Sequence, residues 1–164
     1  MTITLRPATE ADIPFVMAKE RMPGFERTVG RWEEAAHRAE MANPASAYCI
    51  GERDGTPAGF AMLQSLDEPA GNVHLRRIAV AVPDRGVGRA ILVQVAAWVF
   101  ARPQSHRFWL NVAPHNERAR HLYAGVGFQQ EGVLREVHIN PQGERTSSVV
   151  MSLLRSEWDA RQSG

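Results

Sequence analysis

The chain has 164 residues, a formal net charge of +1 and 44% hydrophobic residues. That is the size and balance of one globular domain able to bury a core, and the near-neutral charge argues against nonspecific nucleic-acid binding. No apolar run approaches the length of a membrane span. The start, Met1 to Asp12, has neither the basic residues nor the apolar core of a signal peptide, so a cytoplasmic protein is expected.

Residues 2 to 6 alternate, with Ile3 and Leu5 on one face, and predict a short strand. Thr9 and Asp12 have capping-box spacing. A helix is expected to run to about Met22, with Ile13, Val16 and Met17 facing inward and Pro14 in its first turn. Pro23-Gly24 breaks it. Arg31 to Met41 reads as a second helix, ended by Asn43-Pro44. Ser46 to Arg53 is a strand, Asp54-Gly55 a hairpin turn and Pro57 to Leu66 the return strand, with Gly59 a candidate bulge. Cys49, the only cysteine, sits in the apolar run Ala47-Tyr48-Cys49-Ile50 and reads as a buried thiol. No intrachain disulfide can form, and no Cys/His metal spacing exists, so no metal is expected.

The next stretch carries the most information. A strand runs from about Val73 to Val82, and Pro83-Asp84 and the small-residue turn Arg85-Gly86-Val87-Gly88-Arg89-Ala90 follow it. Apolar residues then recur at Val87, Ile91, Val95 and Val99, which is helical spacing over residues 86 to 101. Strand, glycine turn and helix together make an anion site. Glycines admit a close ligand, the first helical amides lack partners and carry partial positive charge, and Arg85 and Arg89 add full charges.

Arg102-Pro103 closes that helix. His106 to Val112 is a strand, residues 115 to 124 a helix opened by Pro114 and Asn116, and Gly125 and Gly127 stop it. Phe128 to about Ile139 and Arg145 to Leu154 are the last strands, joined by the turn Asn140-Pro141-Gln142-Gly143. A polar tail follows Ser156 and reads as a short helix. The order β-α-α-β-β-β-α-β-α-β-β predicts a single α/β (α+β) domain over residues 1–158, with a 159–164 tail. Its mixed, mainly antiparallel sheet is flanked by about four helices. The unit through residues 73 to 112 should be a right-handed parallel crossover.

Two phosphate-binding readings fail on residue identity. A Walker loop needs Lys-Ser/Thr after its last glycine, where Arg89-Ala90 stands. A dinucleotide fingerprint needs a third small residue where Ile91 stands, and an acidic end to the next strand, which ends Asn111-Val112.

Arg85-Gly86-Val87-Gly88-Arg89-Ala90 resembles the Q/R-x-x-G-x-G/A acyl-CoA motif of the GNAT superfamily of N-acyltransferases. An alternative register, with Gly86 and Gly88 as its two glycines, puts Pro83 in the first position. Downstream, Leu110-Asn111-Val112, Asn116, Ala119, Leu122-Tyr123 and Gly127-Phe128 resemble the family pattern L-x-V-x-x-x-N-x-x-A-x-x-L-Y-x-x-x-G-F at every fixed position. Two motifs in the right order on the right elements are far more specific than one glycine turn.

The resemblance implies a GNAT-like fold and an acetyl-CoA-dependent N-acetyltransferase in which a primary amine attacks the thioester directly. It implies a diphosphate held by the turn at 85–90, a pantetheine arm lying along Ile78, Ala79 and Val80 where two parallel strands splay, and further contacts from Asn111, Asn116, Arg118 and Ala119. Tyr123 is implied as the proton donor to the departing sulfur. Asn116 is equally a good helix cap. The base is less determined: His74 has a suitable intrinsic pKa, Glu33 and Glu34 are alternatives, and a water relay stays open. The C-terminal half looks most like the branch with ribosomal-protein N-terminal acetyltransferases and general amine acetylators. The expected partners are therefore acetyl-CoA and a small-molecule amine or peptide N-terminus, with no nucleic acid and no membrane. Homodimers are common among the resembled proteins, which leaves a homodimer open. The rival from another class is a non-catalytic acyl-CoA-binding sensor or partner module.

Overall fold

In the computed structural model, residues 2–23, 30–82 and 86–164 are described. The strands are β1 (Ile3–Pro7), β2 (Ala47–Arg53), β3 (Thr56–Gln64), β4 (Asn72–Val80), β5 (Arg107–Val112), β6 (Gln129–Ile139) and β7 (Arg145–Leu154). The helices are α1 (Ile13–Glu20), α2 (Glu34–Met41), α3 (Val87–Ala101), α4 (Glu117–Val126) and α5 (Arg155–Gln162), and a short 3-10 turn precedes α1. The strands form one sheet in the order β1-β2-β3-β4-β5-β7-β6, in which only β4 and β5 pair in parallel. This is the mixed, mainly antiparallel α/β arrangement the element order implies, with five α-helices among the described residues where about four were expected.

Each face of the sheet has its own core. One holds Leu63, Leu75, Ile91, Val95, Phe108, Leu110, Tyr123 and Trp158, so α3, α4 and α5 lie on that side. The other holds Val16, Ile50, Phe60, Met62 and Ala79 with Phe15 and Trp32 packed on them, so α1 and α2 lie opposite. Gly51 and Gly59 are cross-strand partners that let α3 approach closely. A Cβ on either would stand 2.5 or 2.8 Å from Ile91 Cδ1. Gly59 is therefore a contact glycine; the bulge on this pair falls at Gly51/Glu52.

Several boundaries differ from expectation for identifiable reasons. Thr9 and Asp12 do form a capping box, but its first product is the 3-10 turn, and α1 ends at Glu20 rather than Met22. Met17 is half-buried. The second helix starts at Glu34, not Arg31: Trp32 N–H donates to Glu20, and Arg21 donates to the Trp32 carbonyl, so this backbone is held by side chains instead of a helical ladder. The central strand stops at Val80, short of Val82. Beyond it, Pro83, Asp84 and Arg85 lie outside the described residues, as does Gly24. At the C-terminus, residues 159–162 belong to α5, whose Trp158 stacks on Phe100 at 5.9 Å.

Among the described residues no helix is long and apolar enough to cross a membrane.

Candidate functional site

The site begins where the parallel pair stops. β4 and β5 are partnered at Asn72/Arg107, Val73/Phe108 and His74/Trp109, and no further. Past that point β4 stays on β3 to Val80, and β5 stays on β7 to Val112. The cause is local. Arg77 pairs with Met62 while Leu75 pairs with Leu63, so Arg76 is an extra residue, and a bulge bends its strand. The split leaves one backbone edge of β4 without a strand partner along Ile78, Ala79 and Val80. Ile78 and Val80 pack toward α3, and Ala79 is buried on the opposite face. An amide-rich arm can pair with such an edge as an added strand would.

The turn at the end of β4 fits an anion. Gly86 caps α3 with φ 71°, in the left-handed region that favours glycine. Ala90 N–H already donates to the Gly86 carbonyl at 3.0 Å, so the amides left for a ligand are those of Val87, Gly88 and Arg89. Ala90 contributes packing, not an amide. Arg89 is exposed beside these amides. The role expected of Arg85, or of Pro83 in the other register, lies outside the described residues.

Gly88 also marks where three elements meet. A Cβ there would lie 3.5 Å from Val80 Cγ1 and 3.6 Å from Leu122 Cδ2, so the end of β4, the start of α3 and the middle of α4 converge on it. Tyr123 follows Leu122, is 8% exposed and packs on Phe128 at 5.9 Å. Burial pushes its phenol up to about 12, so it keeps its proton throughout the neutral range. Asn116 caps α4, its Oδ1 accepting from Ala119 N–H at 3.2 Å, which leaves its amide nitrogen to donate elsewhere. Arg118 is exposed in the first turn of α4, and Ala119 packs on the core below.

Asn111 and His74 stand elsewhere. Phe108, Leu110 and Val112 enter the core under α3 and α4, so by strand alternation Trp109 and Asn111 face the α1/α2 side. His74 lies on that side too, stacked on Trp109 with centroids 4.0 Å apart and planes 13° apart. Burial, and then the charge of Arg76, lower its imidazole to about 4. At neutral pH it is an uncharged ring that takes up a proton poorly, which weighs against the general-base role expected from its intrinsic pKa. Glu33 and Glu34 are ion-paired with Arg21 and Arg38. His74→Phe, which keeps an aromatic face on Trp109, is accordingly expected to retain turnover within about fivefold, where loss of a general base costs 10²–10⁴-fold. Steady-state rates between pH 6 and 9 check this, and a loss beyond a hundredfold would restore the histidine as base.

The sequence reading missed a buried network beside the split. Glu20 is completely buried and accepts from Arg77 Nη1 at 2.5 Å, His37 Nε2 at 2.9 Å and Trp32 N–H at 3.3 Å. A carboxylate only accepts, so His37 Nε2 carries the proton of that bond, and His37 Nδ1 lies 2.8 Å from the Tyr48 hydroxyl. An unpaired carboxylate buried this deeply would cost several kcal/mol, which these donors offset. The Arg77 guanidinium also lies over Trp32, 4.5 Å from its centroid. Together these contacts tie the segment before α2 to β4. Only the wrong-face arginine at position 77 could have hinted at them. Among the described residues, no three His, Cys, Asp or Glu side chains gather to hold a metal.

Known proteins resemble this arrangement. The Acetyltransferase (GNAT) family model matches residues 16–128. N-alpha-acetyltransferase RimI of Mycobacterium tuberculosis (strain ATCC 25618 / H37Rv) is 32% identical over 110 residues, which is 65% of this chain and 67% of that protein. Among solved structures, a spermidine N-acetyltransferase SpeG chimera from Vibrio cholerae and hSSAT superposes with a TM-score of 0.85 at 21% identity, covering 96% of this chain and 98% of the other. Spermidine N-acetyltransferase from Vibrio cholerae in complex with CoA and spermine gives 0.83 at 21% identity, covering 95% and 97%. At that identity the two structures speak to fold alone.

Proposed function

The chain belongs to the acetyltransferase (GNAT) family and is an acetyl-CoA-dependent N-acetyltransferase, and from that premise we propose that its acceptor is an α-amino group, such as a peptide N-terminus. The observation that carries the site is the split between β4 and β5 opening beside the glycine-capped start of α3. Acetyl-CoA supplies the activated acetyl group. The amides of Val87, Gly88 and Arg89 would hold its diphosphate, the free edge of β4 and the Asn116 amide its pantetheine arm, and Tyr123 would protonate the leaving sulfur. The amine forms the new C–N bond as the C–S bond breaks. Cys49 offers no covalent detour. It is buried on β2, its thiol pushed up to about 11, and β3 separates it from β4. The sensor alternative is not favoured, because the family match and the identified relative are both acetyltransferases.

The α-amine is preferred because, among the described residues, the site is poor in bases. With His74 held neutral and weakly basic, the acceptor must arrive uncharged or lose its proton to water. An α-amine, with a pKa of about 7.7–8.0, is roughly one-quarter neutral at pH 7.4. An alkyl amine near 10.4 is about a thousandth neutral. That difference of some two hundredfold favours the α-amine without any catalytic base.

The test compares a short peptide bearing a free α-amine with spermidine, following CoA release across pH 6 to 9. The expected result is faster acetylation of the peptide, with kcat/KM rising along a limb near pH 8 that belongs to the substrate amine. A preference for spermidine, or a limb that stays put when the amine pKa is changed, would overturn the assignment. The other acceptor class in view is a polyamine, as in the Vibrio cholerae spermidine N-acetyltransferase structure with CoA and spermine.

A further inference from the structure

We infer that Arg76 makes this an acetyltransferase for acceptors that carry a carboxylate close to the reacting amine; the inference rests on the α-amine reading above and narrows it. Arg76 is the bulged residue of β4, two positions past the last β4/β5 partner, and so stands at the mouth of the split. Its neighbours fix the face. His74 stacks on Trp109 on the α1/α2 side, and the Arg76 guanidinium carbon is 5.9 Å from the Trp32 ring, which packs on that same side. The diphosphate amides begin α3 on the opposite face, whose core α3 fills. Arg76 therefore faces the side from which an amine must approach.

Four neighbouring cations are already paired. Arg77 is neutralised by Glu20, and Arg107 donates to Glu131 at 2.6 Å. Arg21 holds Glu33 and Arg38 holds Glu34. Arg76 is exposed and, among the described residues, has no carboxylate partner. Its charge reaches both His74 and Arg77, lowering the pKa of each. Among the described residues, Arg76 thus brings to the acceptor side of the split a guanidinium that lies beside the Trp32 ring and has no carboxylate partner. Guanidinium binds carboxylate in a two-pronged geometry that ammonium cannot match. The same charge repels a second ammonium, so a polyamine meets like charge where an acidic acceptor meets a partner. The carboxylate could come from an acidic side chain near a peptide N-terminus or from a free amino acid.

The test uses full-length enzyme, acetyl-CoA and five acceptors. Three peptides share an N-terminal serine and carry aspartate, serine or lysine in second place; the others are free glutamate and spermidine. Wild-type enzyme is expected to favour an acidic acceptor over the lysine peptide by about tenfold or more in kcat/KM, chiefly through KM. Arg76→Gln should flatten that ratio and Arg76→Glu invert it, while calorimetry shows acetyl-CoA affinity unchanged in both. If the aspartate peptide is the better acidic acceptor, the carboxylate is a peptide side chain; if free glutamate is better, it is a free amino acid. Peptides acetylated equally by wild type and Arg76→Gln would overturn the role of Arg76 and leave the α-amine reading standing. Acetylation of spermidine alone, or of none of the five by an enzyme that binds acetyl-CoA, would overturn both.

Discussion

Gly88→Glu is expected to abolish coenzyme A binding in a protein that still folds. The folding half follows from contacts already present. A Cβ at this position would sit 3.5 Å from Val80 and 3.6 Å from Leu122, ordinary van der Waals separations, so the helix start accepts a side chain. A carboxylate in the first turn also favours the helix, because the unpartnered amides there carry partial positive charge. The binding half follows from the same charge. An anionic side chain at the proposed diphosphate position would compete for the amides of Val87, Gly88 and Arg89 and repel the ligand. At about 4 Å and an effective dielectric near 20, one unit-charge repulsion is worth ~4 kcal/mol, about a thousandfold in Kd. Calorimetry with CoA, alongside a thermal unfolding curve, measures the two halves separately. Gly88→Ala serves as the steric control and should weaken binding by less than tenfold. Unchanged affinity in a folded Gly88→Glu protein would move the diphosphate away from this helix.

What could be read from the chain, and what could not, divides along the distance over which a pattern acts. The strand, glycine turn and helix around Gly86 are local: Val87, Ile91, Val95 and Val99 repeat at helical spacing, and all four are buried in the structure. The capping role of Asn116 is local too. The Glu20–Arg77 pair joins residues 57 apart, and neither lies in a motif. Strict alternation would put Arg77 on the face of Leu75, under α3. The extra residue at Arg76 moves it to the other face, where Glu20 waits. A bulge leaves little trace in a strand that carries apolar residues on both sides of it, Val73 and Leu75 before and Ile78, Ala79 and Val80 after. His74 shows the same limit in another form: its intrinsic pKa suggested a base, but whether a histidine titrates near neutrality depends on what covers it, and Trp109 covers this one.

Tyr123→Phe is expected to lower turnover by about tenfold to a thousandfold while leaving CoA affinity within about twofold. The ring itself is structural: it is buried in the core under α4 and packs on Phe128, contacts that phenylalanine preserves. Only the hydroxyl is lost. Among the described residues that hydroxyl donates to no protein acceptor, so its removal breaks no bond that holds the fold. Its chemistry matches the need at the sulfur. Burial keeps the phenol protonated, pushed up to about 12, so it is present as a donor at every pH where the amine is reactive. The same low-polarity surroundings penalise a bare thiolate, which raises the proton affinity of the leaving group toward that of the phenol. Loss of such a donor has the scale of general acid catalysis. It should fall on kcat rather than on binding, because the charge on sulfur exists only as the C–S bond breaks. A donor thioester with a more acidic thiol needs the proton less, so the variant should lose less on it than on acetyl-CoA. Equal turnover by wild type and Tyr123→Phe, or an equal loss on both thioesters, would leave the departing sulfur to be protonated by water.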